Sequence, residues 1–147
     1  MVEKLLKVVV YGDLLQKMLT KNRVYEVNKG ETQKLYDEWM QKCKELVVHS
    51  SLSEFKKSIY DMVNDFEKIE LDTSIKKPKV GIVGEVLIKY HPFGNNFIAE
   101  KLEQEGAEVI LPDFMGFVKF MATHKITFNT LIKTDKYKAK IFKLAIN

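Results

Sequence analysis

KVGIVGEVLIKYHPFGNNFIAEKLEQEGAEVILPD, residues 79–113, decides the fold. Val80, Ile82 and Val83 stand among glycines as a short apolar run, the pattern of a strand buried on both faces. Ile98, Ala99 and Leu102 form the inner face of a helix, and Gly106 follows where helices commonly close with a left-handed residue. Residues 109–111 are a second apolar run, ended by Pro112 and Asp113. A strand, helix and strand of this size joins parallel strands through a right-handed crossover. Phe114, Phe117, Val118 and Met121 then predict a further short helix.

Outward from this unit toward the N-terminus, the period becomes helical. Leu5, Val8, Val9, Gly12, Leu15, Met18 and Leu19 recur at three and four, so the first 20 or so residues read as a helix with one buried stripe. A strand over residues 7–11 is the weaker alternative. Leu35, Trp39, Cys43 and Leu46 place a second stripe, with Cys43 as a small core residue. Ser51 followed by Glu54 is a capping box, and Phe55, Ile59, Met62, Val63 and Phe66 supply the stripe of a third helix. Residues 22–30, NRVYEVNKG, have neither period and form a connection, while LDTSIKKP over residues 71–78 has the polar, proline-ended character of a linker.

The fold class expected is therefore α/β, a three-layer-like parallel sheet unit with a helical N-terminal layer. Residues 1–75 form that layer and residues 76–147 the α/β unit with a C-terminal helix, together one domain. Two strands leave edges and a face uncovered. Either residues 127–131 (TFNTL) add a strand or a longer parent protein does. The chain stops at Leu144-Ala145-Ile146-Asn147, still apolar and without a helix stop, which reads as an excerpt from a longer protein.

Composition narrows the class. The chain has 147 residues and 46% apolar content, enough for one ordinary domain. The net charge of +4 arises from one region: Lys133, Lys136, Lys138, Lys140 and Lys143 face only Asp135, and the remaining charges cancel. Interleaved with Tyr137, Ile141, Phe142 and Leu144, these lysines suit the solvated face of a helix better than a phosphate-binding surface, and no nucleic-acid partner is expected. No run approaches the roughly 20 apolar residues that span a bilayer. Glu3 and the break at Gly12-Asp13 do not suit a signal peptide, so a cytoplasmic protein with no membrane association is expected. A single cysteine cannot hold a zinc or iron–sulfur centre, and His49, His91 and His124 are dispersed.

Chemistry is expected at the end of the first strand, because ligands of parallel sheets sit beyond the strands' carboxyl ends. Connections there usually take about 2–6 residues, and the loop at 85–96 is longer. It carries the apolar patch Val86, Leu87 and Ile88 before Lys89, Tyr90, His91 and Pro92. Pro92 fixes the backbone, Gly94 can take a positive φ, and Asn95 or Asn96 caps the following helix. Backbone N–H groups at that cap would suit a phosphate, carboxylate or thioester oxygen. Glu85, Lys89 and His91 could serve as acid, base and electrostatic partner, although a Glu85–Lys89 ion pair beside a surface histidine is the plainer reading. Neither a dinucleotide fingerprint nor an ATP phosphate loop is present. Arg23 is the only arginine among 24 basic residues. With Tyr25 and Glu26 it suits a buried ion-pair knot, or else a carboxylate-binding site.

Two strings together carry a family resemblance. KPKVGIVGEVLIKYHPFGNNFIAEKLEQEGAEVILPDF (residues 77–114) resembles a block in CoA-substrate-specific enzyme activases, large relatives of the 2-hydroxyglutaryl-CoA dehydratase components. GDLLQKMLTKNRVYEVNKGET (residues 12–32) resembles the preceding block, usually Arg-Pro-Tyr-Glu and then Asn-Lys-Gly-Glu. Val24 replaces the proline, while Arg23, Tyr25, Glu26, Asn28, Gly30 and Glu31 remain. The resemblance spans about residues 10–120 and implies a longer parent from anaerobic metabolism. Such a parent resembles an ATP-hydrolysing, [4Fe-4S]-bearing electron donor fused to a dehydratase-like portion. It would pass one electron that permits loss of water from a 2-hydroxyacyl-CoA. This chain would belong to the dehydratase-like portion, hold no cofactor and carry no catalytic residue of its own. Its 85–96 loop would complete a composite acyl-CoA or anion site with other domains of the parent and a dehydratase. The alternatives are a docking module of the same protein, which could self-associate into a homo-oligomer, and a free-standing enzyme using Glu85 and His91.

Overall fold

The computed structural model describes residues 1–132. Its elements run α1 (Val2–Asn22), α2 (Glu31–His49), α3 (Leu52–Glu67), β1 (Lys79–Gly81), α4 (Val86–Tyr90), α5 (Ile98–Gln104), β2 (Glu108–Ile110) and α6 (Phe114–Ile132). The class is mixed α/β and mostly helical. Residues Met1–Pro112 form one compact unit, and α6 belongs to a second. The lysine-faced C-terminal segment expected at 133–147 lies outside the described residues.

In the first unit, α1, α2 and α3 pack on one another around Tyr11, Leu15, Trp39, Cys43, Met62, Phe66 and Ile69. The stripes expected on α2 and α3 are the ones buried, with Met62 and Phe66 fully enclosed. On α1 the stripe is displaced: Lys7, Tyr11, Leu15 and Leu19 face inward, while Leu5, Val8 and Gly12 are exposed. Spacing by four places these inward residues in one row, and polar partners make Lys7 and Tyr11 tolerable there. The Lys7 ammonium donates to the Ser50 carbonyl at 2.6 Å and pairs with Glu3 at 2.8 Å. The Tyr11 hydroxyl shares a 2.6 Å hydrogen bond with Ser58, and its ring meets Phe55 edge-on. Residues 7–11 are helical throughout, which removes the strand alternative.

The helix ends are met by side chains. Ser51 and Glu54 form the expected capping box of α3. The amide of Asn22 donates to the Phe66 carbonyl at 3.1 Å, in the last turn of α3, where that oxygen also accepts from the Ile69 N–H at 3.3 Å.

β1 and β2 pair in parallel, with Lys79 opposite Glu108 and Val80 opposite Val109. β2 begins one residue earlier than the apolar run suggested. Behind α5, Gly106 at φ 89° is left-handed, its N–H bonds the Glu103 carbonyl and the Ala107 N–H bonds the Leu102 carbonyl. This is the Schellman closure that Gly106 predicts. β2 lies against α1 and α5, burying Ala107 and Val109. β1 does not meet the expectation of burial on both faces: Val80 is half-buried and Val83 is exposed. The described residues form only these two strands, so no third strand flanks β1.

The second unit contains α6, much longer than the short helix expected. Residues 127–131 fall within it and do not add a strand. Between Phe117 and Ile132 there is no Gly or Pro to stop helix propagation. Phe120, His124 and Phe128, four apart, stack in sequence at 6.0 and 6.3 Å between ring centres. No described helix is long and apolar enough to cross a membrane.

The three-helix core should dominate the stability of the first unit. Met62→Ala is expected to cost about 2–5 kcal/mol in urea unfolding, whereas Leu5→Ala on the exposed side of α1 should change it by less than about 0.5 kcal/mol. Equal losses at both positions would contradict this placement of the core.

Candidate functional site

The loop at 85–96 folds on itself. Its apolar patch opens the short helix α4, and the Glu85 carboxylate caps that helix by accepting from the N–H groups of Leu87 (2.9 Å) and Ile88 (3.2 Å). Glu85 therefore does not pair with Lys89. Lys89 is buried along its stem and its ammonium lies 4.6 Å from the centre of the Tyr90 ring. The Tyr90 hydroxyl donates to the Pro112 carbonyl, fastening the loop to the segment after β2.

The second half of the loop is equally self-contained. His91 Nδ1 accepts from the Gly94 N–H at 2.9 Å, which assigns the proton of the neutral ring to Nε2. The Asn95 amide donates to the Lys89 carbonyl at 3.0 Å, and its oxygen accepts from the Ile98 N–H at 3.4 Å. Asn95 thus serves the start of α5. Asn96 and Phe97 are the left-handed residues, at φ 58° and 54°, and Gly94 is not. That corrects the expectation of a positive φ at Gly94: the strain sits two and three residues later, where the chain turns into α5. Phe97 occupies the cap position and gives no side-chain cap.

The loop therefore lacks the expected ring of free donors. Leu87, Ile88, Gly94 and Ile98 N–H groups are bonded to side chains of the loop itself. Its outer surface is apolar instead, with Leu87, Ile88, Phe93 and Phe97 exposed. Phe93 stacks edge-on against Phe97 at 5.0 Å and stands 6.3 Å from His91.

The connection at 22–30 is where charges converge. Arg23 pairs with Glu103 of α5 at 2.6 Å. The Tyr25 hydroxyl donates to Glu108 at 2.9 Å, and Glu108 also pairs with Lys79, its partner across the sheet, at 3.2 Å. Lys77 donates to the Val24 carbonyl at 2.5 Å. Glu26 turns the other way, accepting from the N–H groups of Gly30 and Thr32, both at 2.8 Å. Gly30, at φ 91°, has no side chain to cap α2, so Glu26 supplies the cap from four residues upstream. Backbone bonds from Val27 to Glu70 and from Asp72 to Tyr25 tie the same connection to the segment behind α3.

Arg23 and Tyr25 thus form a knot with Glu103 and Glu108, whereas Glu26, expected to join them, faces away and caps α2. The ligands of that knot, Glu103, Glu108, Lys79 and Lys77, carry no motif and were not legible in the sequence. Their only signal is a set of charges on short segments next to buried strands. The cleft at Arg23 is lined by Val24, Lys29, Lys77, Glu100, Glu103 and Gln104 and takes in none of the 85–96 residues.

Two carboxylates in and beside the knot are shifted in opposite directions. Burial works to raise the pKa of Glu26, but the N–H groups of Gly30 and Thr32, with Lys29 nearby, outweigh it and hold the group below its ordinary value. Burial raises the pKa of Glu103, and Arg23 only partly offsets it. Cys43, enclosed in the helical core, is pushed up by burial to about 11. One such thiol offers no ligand set for an iron–sulfur centre, and the described residues hold no cluster of three or more His, Cys, Asp or Glu suited to a metal.

No family model matches the chain, and neither does any curated protein or solved structure.

Because its folded pKa is depressed, Glu26 contributes stability that is complete above its unfolded pKa and is lost as pH falls through the folded value. Glu26→Gln is expected to lower stability at neutral pH by about 1 kcal/mol and to flatten the acid limb of a stability–pH curve. A variant that keeps the full acid-side slope would assign that slope to other carboxylates.

Proposed function

We propose that this chain is a domain of a CoA-substrate-specific enzyme activase or 2-hydroxyacyl-CoA dehydratase-like protein. In this reading it lends the 85–96 loop to a composite acyl-CoA site. The observation that supports it most is that the two strings carrying the resemblance meet. Arg23 and Tyr25 from the first bind Glu103 and Glu108 from the second. Segments some 80 residues apart along the chain are thereby one structural unit, as expected if they were inherited together.

The loop's chemistry refines the role. With its donors committed internally, it acts as an apolar wall, and Lys89, Tyr90 and His91 are the polar groups along it. Such a wall suits the acyl or pantetheine portion of a thioester, with the phosphates held by other domains. The sheet would extend into its three-layer form within that parent. ATP, the [4Fe-4S] centre, the dehydratase partner and a cytoplasmic setting belong to the parent in the same reading. Arg23 holds α5, which follows the wall, through Glu103, while Glu26 caps α2.

A docking module of the same protein is the second reading. It is favoured by the exposure of Val83, Leu87, Ile88, Phe93 and Phe97 on and beside the loop, a cluster that another domain would cover.

An NMR titration of the chain with acetyl-CoA separates the two. The site reading expects weak, saturable shifts over residues 85–97 that diminish in Lys89→Met and are absent with acetate. Shifts confined to the lysines at 133–143 would sink it. The docking reading expects no response to acetyl-CoA and concentration-dependent association in sedimentation.

A further inference from the structure

The outer edge of β1 is open. The Glu108 N–H donates to the Pro78 carbonyl and the Ile82 N–H to the Ile110 carbonyl, so Pro78, Val80 and Ile82 turn their backbone groups toward β2. Alternation along the strand turns those of Lys79, Gly81 and Val83 the other way. Among the described residues these outward N–H and C=O groups have no hydrogen-bond partner, and β2 is the only element that packs extensively on β1.

The devices that usually blunt a free edge are missing here. Residues 79–83 contain no proline, and the pairing with β2 runs in unbroken register without a bulge. The one charged residue, Lys79, is already held by Glu108 at 3.2 Å. Gly81 is exposed, with no atom near the space a side chain would fill.

We propose that β1 pairs antiparallel with β1 of a second copy of this chain, across a two-fold axis at Gly81, giving a four-stranded sheet in the order β2-β1-β1-β2. Resting on the docking reading, this pairing supplies its surface and its partner. The edge is self-complementary in that register. Gly81 faces Gly81 at the axis, where the outward N–H and C=O groups of the two copies meet. Lys79 faces Val83 of the second copy in the same way, so like charges stay apart. Between these pairs, Val80 faces Ile82 of the second copy. Both are only half-buried in the single chain, and a cross-strand contact between β-branched side chains covers surface that the VGIVG composition suits to burial.

Two considerations favour a copy over an unrelated strand. A two-stranded sheet is marginal by itself, and pairing two of them makes one of ordinary size. The match is also reciprocal, each edge offering the other the same residues in reverse order, which is what an isologous contact requires.

Sedimentation velocity of the whole chain over a concentration series reads the assembly, and amide hydrogen exchange reads the surface. A monomer–dimer equilibrium is expected, with exchange at Lys79, Gly81 and Val83 slowing as the dimer fills. Val83 is 86% exposed and tolerates substitution. Val83→Lys sets like charges opposite Lys79 at two symmetric places and should weaken the dimer about tenfold. Val83→Glu sets opposite charges there and should preserve it. Gly81→Pro removes the N–H at the axis and should leave a monomer. A wild-type chain that stays monomeric throughout overturns the pairing and the docking reading together. A dimer in which those three amides exchange as fast as in the monomer, or which Val83→Lys and Val83→Glu weaken alike, overturns the pairing alone, because the chain then associates through another face.

Discussion

A half-buried guanidinium and carboxylate, Arg23 and Glu103, hold the helical layer to the α/β unit. Removing either charge would leave the other stranded at a low-dielectric contact, which generally costs more than the pair contributes when intact. The rest of the junction is arranged around that constraint. Tyr25 and Lys79 converge on Glu108 from the connection and from the neighbouring strand, and Lys77 closes onto the Val24 carbonyl. Glu26, next in sequence, faces the opposite direction and starts α2. Four consecutive residues, Arg23 to Glu26, thereby set both the position of the sheet and the origin of the second helix.

The same junction marks where sequence reading succeeds and where it stops. Periodicity located the three N-terminal helices, and the Ser51–Glu54 box and Gly106 marked the start of α3 and the close of α5, because caps and left-handed closures are contacts between near neighbours. Arg23 stood out as the lone arginine in an irregular segment. Its partner did not, since Glu103 lies 80 residues away on a helix rich in glutamate, and nothing local distinguishes it from Glu100 or Glu105. The α1 stripe held at Leu15, Met18 and Leu19 and failed in its first turns for a related reason. Apolar spacing pointed to Leu5 and Val8, but the row that turns inward begins at Lys7, whose ammonium finds the Ser50 carbonyl 43 residues on. Burial of Tyr11, Leu15 and Leu19 sets the rotation of that helix, and the long-range hydrogen bond makes Lys7 tolerable at the start of the same row.

The strand reading failed differently. VGIVG has the composition of a strand covered on both sides, and α1 and α5 pack against β2 rather than enclosing β1. Residues 127–131 do not repair this, because they continue α6. Val83 and Ile110 at the ends of the strands stay in solvent beside Leu87, Ile88, Phe93 and Phe97. Sequence composition had registered the burial that these residues are suited to, and the fold of residues 1–112 does not provide it.

That mismatch alters what the loop at 85–96 is suited to do. A loop built to grip an anion keeps backbone donors open and strains its chain to aim them. Here Glu85, His91 and Asn95 each consume the donors nearest to them, and the two left-handed residues, Asn96 and Phe97, serve the turn into α5. What faces outward is hydrocarbon and aromatic surface held rigid by polar bonds beneath it. Surface of that kind discriminates by shape and by exclusion of water, which is why the proposed role gives it an apolar counterpart, the arm of a thioester in one reading and the face of a neighbouring domain in the other.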